Sequence, residues 1–343
     1  MINFSKLNKN TINVYNIPAI HGKKYVGVKK MKIVVTELIW EEGLEILREL
    51  GEVVYDQTLW KSDNLAEIIK DADALIVRNQ TKVTKALMGQ APNLKVVGRL
   101  GVGLDNIDVA AAKEAGIKVV FARNANAISV AEYVFSAMFA FSRPLEKASQ
   151  DVKQGNWNRK LFTREEIYGK TLGLVGVGEI GARLASRAKA FGMKVIGYDP
   201  FLPPYELACT DIGVSMASLE TVLAEADYIS LHVPLNDKTR NLINKERLAT
   251  MKKTSYIINT ARGGVINEED LYEAVKAQTI AGAALDVLEK EPPTGNKLLE
   301  LDNIIVTPHI AGLTEEAQVR TSELVARECA KVLCGQGSMC IVR

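Results

Sequence analysis

Three polar residues stand where strand-like apolar runs end in the second half of the chain. Arg262 follows SYIIN within INTARGGVIN, Glu291 follows IAGAALDV just before two prolines, and His309 follows NIIVTP. Histidine moves protons near neutral pH. A carboxylate beside it orients the ring and favours the imidazolium. Arginine presents a planar, permanently charged fork that fits carboxylate and carbonyl oxygens. Together they supply what interconversion of a 2-oxo acid and a 2-hydroxy acid needs besides hydride: a proton source, its orienting carboxylate and a clamp for the acid group. Singly, each has a plainer reading: Arg262 as a helix-entry residue, Glu291 as a solvated loop charge, His309 as a turn residue. Residues just beyond the carboxyl ends of parallel strands face one crevice, however, so the three are expected to converge. His232, at the end of DYISLHV, is a competing proton donor for which a structural, cofactor-side role is expected.

A source of hydride is legible upstream. The segment TLGLVGVGEIGARLASRAKAFGMKVIGYDP contains G-x-G-x-x-G at Gly176, Gly178 and Gly181, between a strand-like LGLVG and a helix-like ARLASRAKAFG. Gly176 suits a tight turn, Gly178 lets a pyrophosphate approach the backbone, and Gly181 lets the helix lie close to the strand. The helix N-terminus then presents unpaired N–H groups to phosphate. Asp199 ends the next strand, roughly twenty residues on, where a carboxylate accepts from ribose hydroxyls. Pro200, Phe201 and Leu202 follow it, with no basic residue to pair a 2′-phosphate, so NAD is favoured over NADP.

The first half carries candidate anion sites. In RLGVGLDN the backbone N–H groups of Gly101, Val102 and Gly103 are expected to form an anion nest. Arg78, ending ALIVR, is a candidate for a second anion such as a phosphate or sulfonate, with Asn79 adding a hydrogen bond; its alternative is a surface charge at a strand end.

These residues need a scaffold of alternating elements. From Met31, strand-like runs (MKIVV, EVVYD, ALIVR, LKVVGRL, KVVFA) alternate with helix-like ones (WEEGLEILREL, LAEIIKDA, KALMGQA, DVAAAKEAG). A long helix is expected from about Ile128, capped by Asn126 or Ser129 and bent or divided by Pro144. A second series runs through KTLGLVG, KVIGYD, DYISLHV, SYIIN, IAGAALDV and NIIVTPH, and TEEAQVRTSELVARECAKVL forms a last helix. Nearly all-apolar strands alternating with helices predict α/β architecture with parallel sheets covered on both faces. Two series imply two lobes with a ligand cleft between them.

Composition excludes several classes. The 343 residues are 47% hydrophobic and 24% charged, with 43 basic and 41 acidic side chains and a net charge of +2. Neither nucleic acid nor an anionic membrane is expected as a partner. No apolar run reaches the ~18 residues of a membrane span. The four cysteines and three histidines lack zinc-ligand spacing, so no metal is expected. The thiols fit a reducing, cytoplasmic setting. Residues 1–30 lack a signal-peptide core and are expected to be a disordered extension or the product of an early start codon.

From about Met31 to Leu333 the chain resembles the D-isomer-specific 2-hydroxyacid dehydrogenases, on GRLGVGLDNID, LGLVGVGEIGARLASRAKAFGMKVIGYDP, LHVPLNDKTRNLIN, INTARGGVINEEDL, ALDVLEKEP and TPHIAG. The likeness is strongest to the phosphoglycerate and sulfolactate dehydrogenases. It implies a Rossmann cofactor domain, residues 127–309, inserted into a flavodoxin-like substrate domain of residues 31–126 and 310–343. It implies Arg262 as substrate-binding and Glu291 with His309 as the acid/base pair, the three forming the catalytic set; Arg78, Asn79, Gly101, Val102 and Gly103 remain the further substrate candidates read from the residues themselves. It also implies NAD contacts at Val102, Glu179, Ile180, Asp199, Val233, Thr260, Ala261, Arg262, Asp286, His309 and Gly312, besides the three glycines. A homodimer or homotetramer is implied, joined through the cofactor domains by the helix near 128–150 and the arm GNWNRK. Glu291 disfavours a formate-type activity, since formate dehydrogenases carry glutamine there. With the chain ending at Arg343, the regulatory domains of some phosphoglycerate dehydrogenases, and serine feedback through them, are not expected. Two alternatives stay open: a hydroxypyruvate or glyoxylate reductase, and an NADH-sensing, corepressor-like binding protein.

Overall fold

The computed structural model describes residues 30–203 and 205–342. The extension expected over 1–30 therefore lies, but for Lys30, outside the described residues. The first series forms β1 (Met31–Val35), α1 (Glu41–Arg48), β2 (Gly51–Tyr55), α2 (Leu65–Ile68), β3 (Ala74–Val77), α3 (Lys85–Gly89), β4 (Val96–Arg99), α4 (Val109–Glu114) and β5 (Lys118–Phe121). All pairings are parallel, in the order β2-β1-β3-β4-β5. Each element coincides with an expected one, but α2 is a single turn where LAEIIKDA predicts two. Ile69 and Ala72 beyond it are buried all the same, so the apolar spacing was spent on core contact without helix.

The chain then crosses to a second sheet through α5 (Ala127–Ser142) and α6 (Leu145–Lys153). Pro144 separates them, as its missing N–H requires. Asn126 occupies the cap position without a side-chain cap bond, and the Ser129 hydroxyl is paired with Thr314 at 2.8 Å. There follow β6 (Thr171–Val175), α7 (Glu179–Ala190), β7 (Lys194–Tyr198), α8 (Leu207–Thr210), β8 (Ser215–Met216), α9 (Leu219–Glu225), β9 (Tyr228–Leu231), α10 (Lys245–Thr250), β10 (Tyr256–Asn259), α11 (Glu268–Lys276), β11 (Gly282–Leu285) and β12 (Ile304–Val306). The parallel order is β12-β11-β10-β9-β6-β7-β8. The two-residue β8 was not expected; it exists through its pairing with β7 alone.

The last helix, α12 (Glu315–Leu333), returns to the first sheet. Val325, Ala326 and Cys329 on it are buried in one core with Ile33, Leu44, Leu47 and Val120. Side chains of this size contribute about 1.5–3 kcal/mol each when fully buried, which fixes α12 to the first lobe though its sequence follows the second. The two chain crossings touch: the Arg320 Nε donates to the Ala125 carbonyl at 3.0 Å. Among the described residues no helix is long and apolar enough to cross a membrane.

Both sheets reverse their direction of growth once. In the first, β2 and β3 lie on opposite sides of β1; in the second, β7 and β9 lie on opposite sides of β6. Crevices open beyond the carboxyl ends of strands at such reversals. They fall beside Thr36, Glu37 and Arg78 in one lobe, and beside Gly176 and His232 in the other.

Candidate active site

At the β6/β9 reversal the three glycines take distinct geometries. Gly176 has φ +92°, and a Cβ there would lie 2.6 Å from the His232 carbonyl oxygen. A Cβ on Gly181 would lie 2.8 Å from the Gly176 carbonyl, so the close approach of α7 to the turn excludes any side chain. Gly178 caps α7 and faces open space, leaving the helix N-terminus uncovered. Asp199 is pinned across this turn, accepting from the N–H of Val177 and of Phe201, both at 3.0 Å.

Two buried polar atoms on the same edge lack partners among the described residues: Thr260 Oγ1, just after β10, and His232 Nδ1, just after β9. Buried polar atoms are normally paired, so this edge is built for a ligand's polar groups, and with the open Gly178 cradle it fits a dinucleotide. Around it, Glu179 pairs with Arg183 at 2.8 Å, while Ile180 and Val233 pack against the core. His232 Nε2 is 2.9 Å from the Ser230 hydroxyl, and burial pushes the ring pKa down to about 3. A ring neutral at ordinary pH is a poor proton donor.

His309 lies after β12 with Nδ1 3.0 Å from Glu291 Oε2, and both side chains are substantially exposed. That bond occupies Nδ1 and leaves Nε2 without a hydrogen-bond partner among the described residues. The other Glu291 oxygen accepts from the Leu288 N–H at 3.2 Å. His309 has φ +57°, a left-handed conformation costing of order 1 kcal/mol or more for a non-glycine residue. Asp286 holds it there. This buried carboxylate accepts from the N–H of Ile310 (2.7 Å) and of Ala311 (2.8 Å), and from the Thr307 hydroxyl (2.6 Å). The Tyr133 hydroxyl on α5 meets Thr307 in turn at 2.6 Å, and burial raises its pKa to about 12. Asp286, expected as a cofactor contact, thus spends both oxygens on the His309 loop.

Arg262 links the two lobes. Asn259 braces its loop, donating to the Arg262 carbonyl (2.9 Å) and accepting from Ala261 N–H (3.0 Å). The guanidinium lies 3.4 Å from Asp105 and occupies the space a side chain on Gly103 would need. The expected nest at 101–103 is reduced: the Gly101 N–H donates to the Arg99 carbonyl at 2.8 Å, because the chain turns back on itself there. Val102, exposed at the loop tip, and Gly103 make no backbone hydrogen bond among the described residues, so the nest keeps these two donors.

Arg78 is half-buried. Its guanidinium donates to the Leu38 carbonyl (3.4 Å) and to the Gln318 side chain, and stands 5.9 Å from the Trp40 ring centre. Gln318 also donates to the Gly312 carbonyl at 3.2 Å, tying Arg78 to the crossing segment after His309. Asn79 is exposed beside it. Arg99, absent from the expected site, completes a cationic group. Burial first, then Arg262 and Arg78, lower its pKa to about 10, and its Nε is buried without a partner. Glu37 is the other omission, a nearly fully buried carboxylate under the Arg78 loop. Arg99 had a signal, since it ends β4 as Arg78 follows β3; Glu37 had none.

The glycine turn at a sheet reversal places the chain among two-lobed α/β proteins with a dinucleotide-binding turn at strand ends. Comparison with known proteins narrows the class. Residues 135–311 match the model of the D-isomer specific 2-hydroxyacid dehydrogenase NAD binding domain. The chain is 50% identical over 307 residues to a D-3-phosphoglycerate dehydrogenase of Methanocaldococcus jannaschii, covering 89% of this chain and 58% of that one. It is 45% identical over 302 residues to a hydroxypyruvate reductase of Thermotoga maritima, covering 87% and 97%. A D-lactate dehydrogenase from Aquifex aeolicus, solved with NAD and lactic acid, superposes with a TM-score of 0.78 at 32% identity, covering 88% and 96%. The chain belongs to the D-isomer specific 2-hydroxyacid dehydrogenase family. It spans little more than half the length of several phosphoglycerate dehydrogenases it matches.

Proposed function

We propose that this protein is an NAD-dependent dehydrogenase acting on C2 of a small 2-hydroxy or 2-oxo acid with an anion at each end, of the phosphoglycerate or sulfolactate type. The observation that carries the reading is the arginine group: Arg262 reaches from the loop after β10 to Gly103 of the first lobe, and its charge and that of Arg78 both act on the buried Arg99. Residues 31–126 and 310–343 serve as the substrate domain and 127–309 as the cofactor domain. The bound NAD supplies or accepts the hydride. Arg262 and the N–H groups of Val102 and Gly103 hold the C1 carboxylate. His309 gives its Nε2 proton to the carbonyl oxygen in reduction, and Glu291 stabilises the imidazolium. Arg78 and Arg99 take the distal anion. Asp199, without a basic neighbour, favours NAD over NADP.

The test is NADH oxidation with phosphohydroxypyruvate, sulfopyruvate, hydroxypyruvate, glyoxylate and pyruvate. The dianions are expected to lead. A charged hydrogen bond contributes about 1.5–3 kcal/mol, so Arg78→Ala is expected to cut kcat/KM about ten- to hundredfold for a dianion and little for glyoxylate. Equal losses, or pyruvate matching the dianions in the wild type, would leave the hydroxypyruvate or glyoxylate reductase reading.

The reading extends to a homodimer joined through the cofactor domains. Leu145, Val152, Trp157 and Leu161, on α6 and the arm after it, are exposed apolar residues in one short stretch. Sedimentation is expected to give a dimer, and Trp157→Glu with Leu161→Glu a monomer.

A further inference from the structure

Glu37 follows β1 at the first-lobe reversal. It is 2% exposed and lies beneath the loop that carries Arg78. Its Oε1 accepts from the backbone N–H of Arg78 (2.8 Å) and Thr81 (3.0 Å) and from the Thr81 hydroxyl (2.8 Å). Its Oε2 accepts from the N–H of Asn79 (3.0 Å) and Gln80 (2.9 Å). Four consecutive backbone N–H groups therefore point at one carboxylate. Successive N–H groups gathered in this way form a nest, the concavity that binds phosphate in other proteins. Here a side chain of the chain itself fills it. Neighbouring contacts stiffen the arrangement: the Thr36 and Thr81 hydroxyls are 2.6 Å apart, and Asn106 donates to the carbonyls of Thr81 (2.7 Å) and Arg78 (3.3 Å). The backbone bonds outweigh the burial penalty and keep Glu37 below the usual carboxylate range, so it is ionised.

We propose that Glu37 is the positioning residue for distal-anion recognition: by filling the 78–81 nest it withholds the backbone donors from substrate and fixes the loop so that the Arg78 guanidinium is what the second anion meets. The proposal rests on the reading of Arg78 as the distal-anion residue. Removing a buried carboxylate's charge here has a specific consequence. An amide offers one acceptor atom, and its NH₂ would face two or three donors whichever way it points. The loop then relaxes, and Arg78 loses its fixed bearing while the site around His309 and Arg262 is untouched.

The experiment compares phosphohydroxypyruvate with glyoxylate in the wild type, Arg78→Ala, Glu37→Gln, Glu37→Asp and the Glu37→Gln/Arg78→Ala double variant. Glu37→Gln is expected to raise KM for the dianion about tenfold, with kcat and glyoxylate efficiency within about twofold of wild type. It should add less than about twofold to Arg78→Ala, because both changes disable one device. Glu37→Asp keeps the charge and should recover part of the loss. If Glu37→Gln does not accumulate folded, Thr81→Val removes one donor to the same oxygen and should raise KM for the dianion alone by a smaller factor. Equal losses on both substrates, or an undiminished loss on top of Arg78→Ala, would overturn the proposal by making Glu37 a support for the fold alone. Failure of the underlying reading is seen separately, in the wild type and Arg78→Ala before any Glu37 variant, as absence of dianion preference; it takes the proposal down with it.

Discussion

The two sheet reversals solve opposite problems with the same backbone geometry. At β6/β9 the donors are left open: among the described residues a side chain on Gly178 would meet no neighbour, and Thr260 Oγ1 and His232 Nδ1 have no partners. At β1/β3 the donors of residues 78–81 are already filled by Glu37, and a guanidinium is what remains to offer. An open edge of amides recognises a ligand by shape and many weak bonds. A filled edge with a half-buried arginine recognises charge at one point. On the proposed reading, one crevice takes a pyrophosphate along its length and the other a small anion at the tip of a short acid.

Removal of His309 carries the largest expected effect. His309→Ala should lower kcat about 10²–10⁴-fold with NADH affinity unchanged in a fluorescence titration. Near-normal turnover would show that another group, such as His232, delivers the proton.

Two glycine variants sharpen the contrast within the open edge. Gly176→Ala forces a Cβ into a left-handed turn against the His232 carbonyl and should cost roughly 1–3 kcal/mol of stability, read from thermal unfolding. Gly178→Ala meets nothing in the protein, so stability should hold within about 0.5 kcal/mol while NAD binding weakens. If both variants unfold alike, the space above Gly178 is structural and not a cradle.

The smallest effect concerns His232. Its ring stays neutral in the folded state down to about pH 3 but takes up a proton near its ordinary pKa when unfolded. The unfolded chain binds more protons between those values. The stability it gives is full above roughly pH 6.5 and falls as the pH drops towards 3, by at most about 1.4 kcal/mol per pH unit. His232→Gln should flatten that acid limb in urea midpoints measured against pH and leave kcat near wild type.

Much of this molecule is local and therefore readable in order. Near-continuous apolar runs mark buried parallel strands, Pro144 breaks a helix wherever it stands, and a G-x-G-x-x-G between strand and helix turns tightly for steric reasons. The sequence by itself determined the two β-α series, the dinucleotide turn and the candidacy of Arg262, Glu291 and His309. It gave no sign of the bonds that Asp286 makes to the His309 loop, and it passed over Arg99 and Glu37. Tertiary structure sets those contacts. Asp286 braces His309 because β11 and β12 are neighbours. Glu37 meets Arg78 because β1 and β3 are neighbours, though about forty residues separate them. Which donors a buried carboxylate finds depends on the strand order that brings two loops together, and strand order is a property of the packed sheet, not of either loop's sequence.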